Sequence, residues 1–339
     1  MKKNLATAFK ILFFLAIGIF FIWIFLHKLT PDQKNDIWES FISANYLWVI
    51  LSIFLGIFSH IVRAYRWNSL LEPMGYHPNI KNTFFAVMVG YLANTAVPRL
   101  GEVTRCGVLN KYEKIPLAKS LGTVLVERSL DLLVFLILFT INLIIFYDKL
   151  GEYFDKRVYQ PLADRFQIEN SAGFLLLIIL GIAVVLLLVF LGLRKKIRHY
   201  RIYKVIRELI SGFWHGLWAV TRIKRPLMFV FQSFLIWLLY YLMIYICFFA
   251  MPQTSHLGFD AALSLLMFGS IGIMVVQGGI GIYPLIIAET LILYDISTTY
   301  GYALGWLSWT AQTLMIVIVG LLSLLLLPVF NKNENYAKT

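Results

Sequence analysis

Six long apolar runs constrain this chain more than any other feature of its sequence. Each run is close to or above the roughly 20 residues that a helix needs to cross a bilayer. The first run follows three lysines, as in a signal peptide, but no small-residue cleavage site follows it. We therefore predict six membrane-spanning helices: Ile11–Leu26, Ile42–Val62, Gly122–Tyr147, Gly173–Leu193, Leu227–Ala250 and Tyr302–Val329.

Composition agrees with these runs. Apolar and aromatic residues make up 60% of the 339 residues, and charged residues only 14%. Soluble domains are nearer 45–50% apolar and about 25% charged, so a soluble enzyme, a disordered chain and a fibre are excluded. Runs of Leu, Ile and Phe favour helices over the alternating strands of a membrane barrel. We expect an all-α integral membrane protein, a polytopic helical bundle that forms one domain over residues 1–339.

The distribution of basic residues predicts the orientation of the bundle. The net charge is +12, which polytopic proteins commonly reach because lysine and arginine collect in cytoplasmic loops, so we expect no nucleic-acid partner. With both termini in the cytoplasm, 23 of the 30 basic residues lie inside and six outside, and Arg128 lies within an apolar run. We expect a multi-pass protein of the cell membrane, which is the inner membrane if the source is bacterial.

Two further apolar segments are interrupted. This charge distribution requires that Phe84–Lys119 enters from the cytoplasm and returns there, and that Asp260–Asp295 does the same from outside. Both contain a Gly and a Val seven residues apart immediately before the break, at Gly90–Val97 and Gly269–Val276. We predict two broken or re-entrant helical hairpins related as an inverted repeat, a pattern that points to a transport site at the membrane midplane. Ordinary helix packing through small residues is the alternative.

Ionisable residues inside apolar segments are candidates for function, because charge is costly in lipid. Spacings of three and four residues place Glu127, Arg128 and Asp131 on neighbouring parts of one helix. We predict that they form a buried ionic network together with Glu289, with either a structural or a substrate-binding role. In this interpretation, loss of Arg128 leaves two acids without a partner. Glu289 alternatively is a neutral, hydrogen-bonded acid.

The first break carries the residues that we predict to bind a substrate. Arg99 and Arg105 lie where a broken backbone frees N–H groups, and guanidinium groups bind phosphate through two hydrogen bonds. Glu102 would orient an arginine or relay a proton. A glycine cluster at the second break allows close backbone approach to the same ligand: Gly278, Gly279 and Gly281. Arg63 and Arg66 at the end of the second span are also ionisable candidates for function, but we interpret them as cytoplasmic anchors.

No pattern of catalytic or metal-binding residues is found. The glycine cluster follows no strand and precedes no Lys-Ser/Thr pair, so it is not a nucleotide-binding loop. The two cysteines, Cys106 and Cys247, are far apart, and the six histidines have no metal-ligand spacing. We therefore expect no enzymatic activity, no metal and no cofactor. The basic connector at residues 194–225 has apolar residues at helical spacing, which predicts an amphipathic helix on anionic headgroups or a simple helical linker.

Two of these motifs resemble a known family. Residues 97–105 read VPRLGEVTR and residues 118–131 read AKSLGTVLVERSLD, which is similar to the transmembrane region of lysylphosphatidylglycerol synthases, also described as flippase-like. A later P-G-G-x-G motif is matched less closely, because Gln277 replaces its proline. Pro284 stands near where an acidic residue is common. The role of the second hairpin is therefore less well supported than that of the first.

The resemblance implies a single flippase-like transmembrane domain without the soluble aminoacyl-transfer domain, since the chain ends soon after the last span. It implies a phospholipid or lipid-linked glycan as substrate, and hence membrane lipids, especially anionic ones, as partners. We expect a lipid flippase or lipid-binding transporter. Two alternatives are a non-transporting subunit that supports a lipid-modifying enzyme and a secondary transporter of a small anion.

Overall fold

A computed structural model describes residues 29–97, 100–147 and 223–332, with scattered positions between residues 19 and 27 and residue 151. Nine α-helices and no strand occur among these residues, which confirms the all-α class. They are α1 (Pro31–Ser43), α2 (Tyr46–Leu71), α3 (Ile80–Ala96), α4 (Leu100–Glu113), α5 (Leu117–Ile145), α6 (Pro226–Cys247), α7 (Phe259–Val275), α8 (Ile282–Ile292) and α9 (Thr298–Phe330).

Within the described ranges, four helical stretches are long and apolar enough to cross a membrane. They are Tyr46–Met74, Leu117–Ile145, Pro226–Ala250 and Thr298–Phe330. Each overlaps a predicted span, although the first continues well beyond the predicted end at Val62. The predicted span Gly173–Leu193, most of Ile11–Leu26 and the basic connector up to residue 222 lie outside the described residues. The structure therefore agrees with a multi-pass helical membrane protein.

Local sequence explains where several helices begin. Thr30 and Gln33 form a capping box at the start of α1, with Pro31 in the first turn. The side chains of Asn45 and Asn79 accept hydrogen bonds from the backbone N–H groups of the first turns of α2 and α3. These caps satisfy donors that would otherwise be unpaired at the helix ends.

Two helical hairpins interrupt the spans, as predicted. The first hairpin consists of α3 and α4, and the second of α7 and α8. In both, a helix of 17 residues ends at an extended valine, Val97 or Val276, whose N–H is bonded to the carbonyl four residues earlier. The second break continues through three glycines with positive φ, Gly278, Gly279 and Gly281. A Cβ atom strains such backbone, which explains the glycines there.

The long helix α9 shows that the hairpins enter from opposite ends. On the second hairpin, Ala288 lies against Gly301, and the tip carbonyl of Gly278 accepts a 2.7 Å hydrogen bond from Trp309 Nε1. We call the open end of a hairpin, where its first helix begins and its second ends, the mouth. At the mouth of the first hairpin, Asn82 hydrogen-bonds to Asn331, which lies just beyond the other end of α9. The two mouths therefore lie at opposite ends of a helix that is about 50 Å long.

The tips of the two hairpins meet near the middle of α9. Further along the first hairpin, Leu92 of α3 packs closely on Gly320 of α9, where a Cβ would lie only 2.8 Å from Leu92 Cβ. Leu92 is five residues from the break at Val97. Helix α3 also approaches the turn of the second hairpin, residues 277–279. The two hairpins therefore approach each other from opposite ends of α9, as expected for an inverted repeat, and the tip of the second contacts α3 of the first.

Glycines set the closest helix approaches. Gly301 and Gly305 form a G-x-x-x-G stripe on α9, where a Cβ on Gly305 would lie 2.6 Å from Pro284 Cα. In the first hairpin, a Cβ on Gly101 would overlap the carbonyl oxygen of Gly90 and the side chain of Asn94. Small residues at such crossings let helices pack through their backbones in lipid.

Candidate functional site

A cluster of five charged side chains lies inside the bundle, and Glu127 is its centre. This carboxylate is fully buried. Its Oε1 atom accepts hydrogen bonds from Arg63 Nη1 and, at 3.2 Å, from Arg66 Nη2. Its Oε2 atom lies 3.0 Å from Arg105 Nη2. One acid on α5 therefore joins three arginines that come from two other helices.

Asp131, one turn further along α5, pairs with two of the same arginines. Its Oδ2 atom lies 2.9 Å from Arg63 Nη1, and its Oδ1 atom lies 2.7 Å from Arg66 Nη1. Helix α6 adds neutral partners, because Arg63 donates to Tyr240 Oη at 3.1 Å and Arg66 donates to Ser233 Oγ at 3.1 Å. Spacings of three residues on α2 and four on α5 align these pairs across the interface.

The charges of this buried cluster do not balance. Three arginines, Arg63, Arg66 and Arg105, face two carboxylates, Glu127 and Asp131. One positive charge therefore remains among these five side chains, whose residues are each at most 9% exposed. Charge in a low-dielectric interior is costly unless an opposite charge compensates it.

Arg105 connects the cluster to a cleft. Its guanidinium lies 4.6 Å from the centroid of the Trp67 ring, and Trp67 Nε1 donates to Thr123 Oγ1 at 2.8 Å. Stacking on the indole and pairing with Glu127 hold the guanidinium in one orientation. The Nε atom is also buried, and no hydrogen-bond acceptor for it occurs among the described residues.

The cleft lies between the first hairpin and α5 and is partly open. Arg128 and Glu102 form an ion pair across it, with 3.2 Å between Nη2 and Oε1. Its lining consists of Val87, Gly90, Tyr91, Asn94, Gly101, Glu102, Arg105 and Arg128. Along α4 and α5, three exposed apolar side chains lie within three residues of this ion pair in sequence: Leu100, Val103 and Leu125.

Two residues that were predicted to belong to the buried ionic network, Arg128 and Glu289, lie outside it. Arg128 belongs to the edge of the cleft and not to the centre of the network, and its side chain is 44% exposed. Loss of Arg128 therefore leaves Glu127 and Asp131 with their own arginines, contrary to the expectation. Glu289 is exposed on α8 and is not part of the buried cluster. Successive residues on a helix point about 100° apart, so Glu127 faces inward while Arg128 does not.

Two cluster members were misassigned from the sequence. Arg63 and Arg66 are buried ion-pair partners and not surface anchors. The available signal was their spacing of three residues near the end of a long apolar run, which places both on one helix face. Helix α2 continues to Leu71, so both arginines lie more than a full turn inside its end.

The predicted substrate-binding residues fall into three places. Glu102 and Arg105 line the cleft, and both lie within α4, which resumes at Leu100 directly after the break. Arg99 lies outside the described residues. The three predicted glycines form the tip of the second hairpin and are not among the residues that line the cleft: Gly278, Gly279 and Gly281. The part of the chain that the structure describes contains no group of acids, histidines and cysteines suited to hold a metal ion.

Comparison with known proteins identifies the family. A profile that describes the lysylphosphatidylglycerol synthase TM region matches residues 11–327. A UPF0104 membrane protein from Methanocaldococcus jannaschii is 37% identical over 98 residues, which are 28% of this chain. That match covers 29% of the length of the relative. No solved structure matches the chain significantly. Because the profile covers most of its length, the chain belongs to the family of lysylphosphatidylglycerol synthase transmembrane regions.

Proposed function

We propose that this protein binds the phosphate of an anionic membrane lipid at the cleft beside Arg105 and moves that lipid between the two leaflets. The observation that carries the proposal is the excess of one arginine in the buried cluster. A bound phosphodiester brings one negative charge and neutralises it. Family membership supports a role connected with membrane lipids, and the geometry supports the finer proposal.

Arg105 is the arginine best placed to meet the ligand. It is 4% exposed, it lines the cleft, and its Nε edge has no acceptor within the described chain. Hydrogen bonds between guanidinium and phosphate are charge-assisted and often bidentate. Pairing with Glu127 and stacking on Trp67 hold this guanidinium in place beside the cleft, so its position is set before an anion binds.

The surroundings of the cleft favour a lipid over a soluble anion. Leu100 and Val103 on α4 and Leu125 on α5 lie within three residues of Glu102 or Arg128 and are 42%, 47% and 65% exposed. A headgroup in the cleft would leave its acyl chains against these side chains. The tips of the two hairpins approach each other part-way along α9, and interrupted helices at the interface of two repeats commonly form the binding sites of transporters.

The test is movement of fluorescent phosphatidylglycerol, labelled on an acyl chain, in vesicles that contain the purified protein. We expect Arg105→Ala to lower the rate at least about tenfold, because a hydrogen bond to a charged group contributes about 1.5–3 kcal/mol. This variant leaves two arginines against two acids, so its thermal stability should stay near that of the wild type. Arg225→Ala is the matched control, since Arg225 is exposed at the start of α6.

Three outcomes would refute the proposal. The first is normal lipid movement by a folded Arg105→Ala variant. The second is an equal loss of movement in Arg225→Ala, which would indicate a general effect of surface charge. The third is the absence of any movement in the wild type, which would instead favour a non-transporting subunit.

A further inference from the structure

The short helix α1 connects the ends of two spans. Just before α1, the Phe25 ring stacks on the Tyr302 ring in the first turns of α9, with 3.6 Å between their centroids. Just after α1, the backbone N–H of Asn45 donates a 2.8 Å hydrogen bond to the carbonyl of Ala250, which follows the end of α6. Helix α1 therefore passes from the start of one span to the end of another, at the level where these spans end.

One face of α1 packs against the protein. Ile37, and Ala44 just after the helix, are each 8% exposed. Both belong to the same apolar cluster as Ala261 and Leu291, which lie at the mouth of the second hairpin. This packing fixes the rotation of α1 about its own axis, and it therefore decides which side chains point away from the bundle.

A second face of α1 is apolar but not covered by the protein. Trp38 and Ile42 are four residues apart, so they lie on one side of the helix, and they are 64% and 68% exposed. Exposed apolar residues continue along the chain into the first turns of α2, at Tyr46, Leu47 and Ile50. Since α2 is long and apolar enough to cross a membrane, the lipid-facing surface of this span leads directly along the chain to the exposed apolar face of α1.

The third face of α1 is polar. Asp32, Glu39 and Ser43 are exposed, and a turn of about 100° per residue places them within about 40° of one another. The same geometry places them about 100° from the midpoint between Trp38 and Ile42. A helix that is divided into one face for the protein, one for apolar surroundings and one for water fits the boundary between membrane and water, where tryptophan is enriched.

We propose that α1 is an interfacial helix whose exposed face, Trp38 and Ile42, is embedded between the headgroups and acyl chains of the bilayer. Pro31–Ser43 contains three acids and one lysine, so its net charge is −2. Attraction to anionic headgroups therefore does not hold it there, in contrast to basic interfacial helices, and burial of apolar surface does. The helix thereby ties the mouth of the second hairpin to the membrane surface. This role does not depend on the transport of any lipid.

The experiment measures the depth of single nitroxide labels on purified full-length protein in phosphatidylcholine vesicles. The labels are attached to four variants: Trp38→Cys, Glu39→Cys, Ile42→Cys and Ser43→Cys. The native Cys106 and Cys247 are buried and are replaced by alanine in all four. Each label collides with oxygen, which concentrates in lipid, or with a nickel chelate, which stays in water. Neighbouring positions are matched controls, because they point about 100° apart on the same turn.

We expect the labels of Trp38→Cys and Ile42→Cys to lie about 5–10 Å below the headgroup surface and to collide mainly with oxygen. The labels of Glu39→Cys and Ser43→Cys should collide mainly with nickel. Because α1 is acidic, these depths should not change when phosphatidylglycerol is added or when the salt concentration is raised.

Equal access of nickel to Trp38→Cys and Glu39→Cys would overturn the proposal, because both faces would then lie in water. Spin–spin broadening at Trp38→Cys that disappears on dilution with unlabelled protein would also overturn it and assign the face to a second copy of the chain. A depth that is lost in high salt would overturn the apolar basis of binding.

A second measurement avoids cysteine substitution. Phospholipids brominated near the carbonyl end of their chains should quench more tryptophan fluorescence in the wild type than in Trp38→Phe, because Trp38 lies at that depth. Trp48→Phe is the control, since Trp48 is only partly exposed and lies against the ring of Phe249. Equal quenching of the wild type and Trp38→Phe would contradict the interfacial position of α1, whether or not the cysteine variants fold.

Discussion

The charge imbalance of the buried cluster predicts that its acids and arginines contribute unequally to stability. In Glu127→Gln, three arginines face Asp131 alone, and the excess of positive charge rises from one to two. In Arg66→Met, two arginines face two acids and the excess disappears. Removing one partner of a buried ion pair typically costs about 3–5 kcal/mol because it leaves an unpaired charge, whereas replacing a whole pair or triad by apolar side chains is often nearly neutral. Arg66→Met resembles the second case, because the charges that remain balance.

These values can be compared by thermal unfolding in detergent. At roughly 2 °C per kcal/mol, the lower end for domains of 150–250 residues, Glu127→Gln should lower Tm by about 6–10 °C. Arg66→Met loses its bond to Ser233 and its contact with the Phe229 ring, so we expect a smaller decrease, under about 4 °C. Intrinsic fluorescence or size-exclusion profiles after heating would measure both.

The double variant Arg66→Met/Glu127→Gln gives the sharpest test, because it returns the excess charge to one. We expect its Tm to exceed that of Glu127→Gln alone, which is a coupling that independent sites do not show. If Arg66→Met is as damaging as Glu127→Gln, or if the double variant shows simple additivity, the imbalance does not govern the stability of the cluster.

Two further predictions concern packing and orientation. Gly101→Ala should lower both expression of folded protein and lipid movement, since its methyl group overlaps the facing helix, whereas Gly107→Ala on the same helix meets nothing within 4 Å and should behave as wild type. Equal behaviour of the two variants would show that the first hairpin is not closely packed in the membrane. We also propose that the C-terminal end of α9 is cytoplasmic, so a cysteine at Lys332 should react with a membrane-impermeant thiol reagent only after cells are opened. The native Cys106 and Cys247 are buried and should give little background, and labelling in intact cells would refute this orientation.

The sequence alone determined the class of fold and the positions of its main interruptions. Run length depends only on neighbouring residues, and the four described spans lie where the apolar runs predict them. Breaks are also local, because proline and glycine restrict or free the backbone wherever they occur. The paired motifs Gly90–Val97 and Gly269–Val276 therefore predicted two similar hairpins, and the structure confirms both.

Only the tertiary structure decided which charges meet. Arg63 and Arg66 end an apolar run, a position that equally suits an anchor at the headgroups and a buried ligand of Glu127. Adjacent residues such as Glu127 and Arg128 can face the core or the cleft depending on the rotation of their helix. That rotation is set by packing against the neighbouring α4 and against α2, α6 and α7, which are distant in sequence. The imbalance of charge beside Arg105 could therefore be recognised only after these helices were assembled.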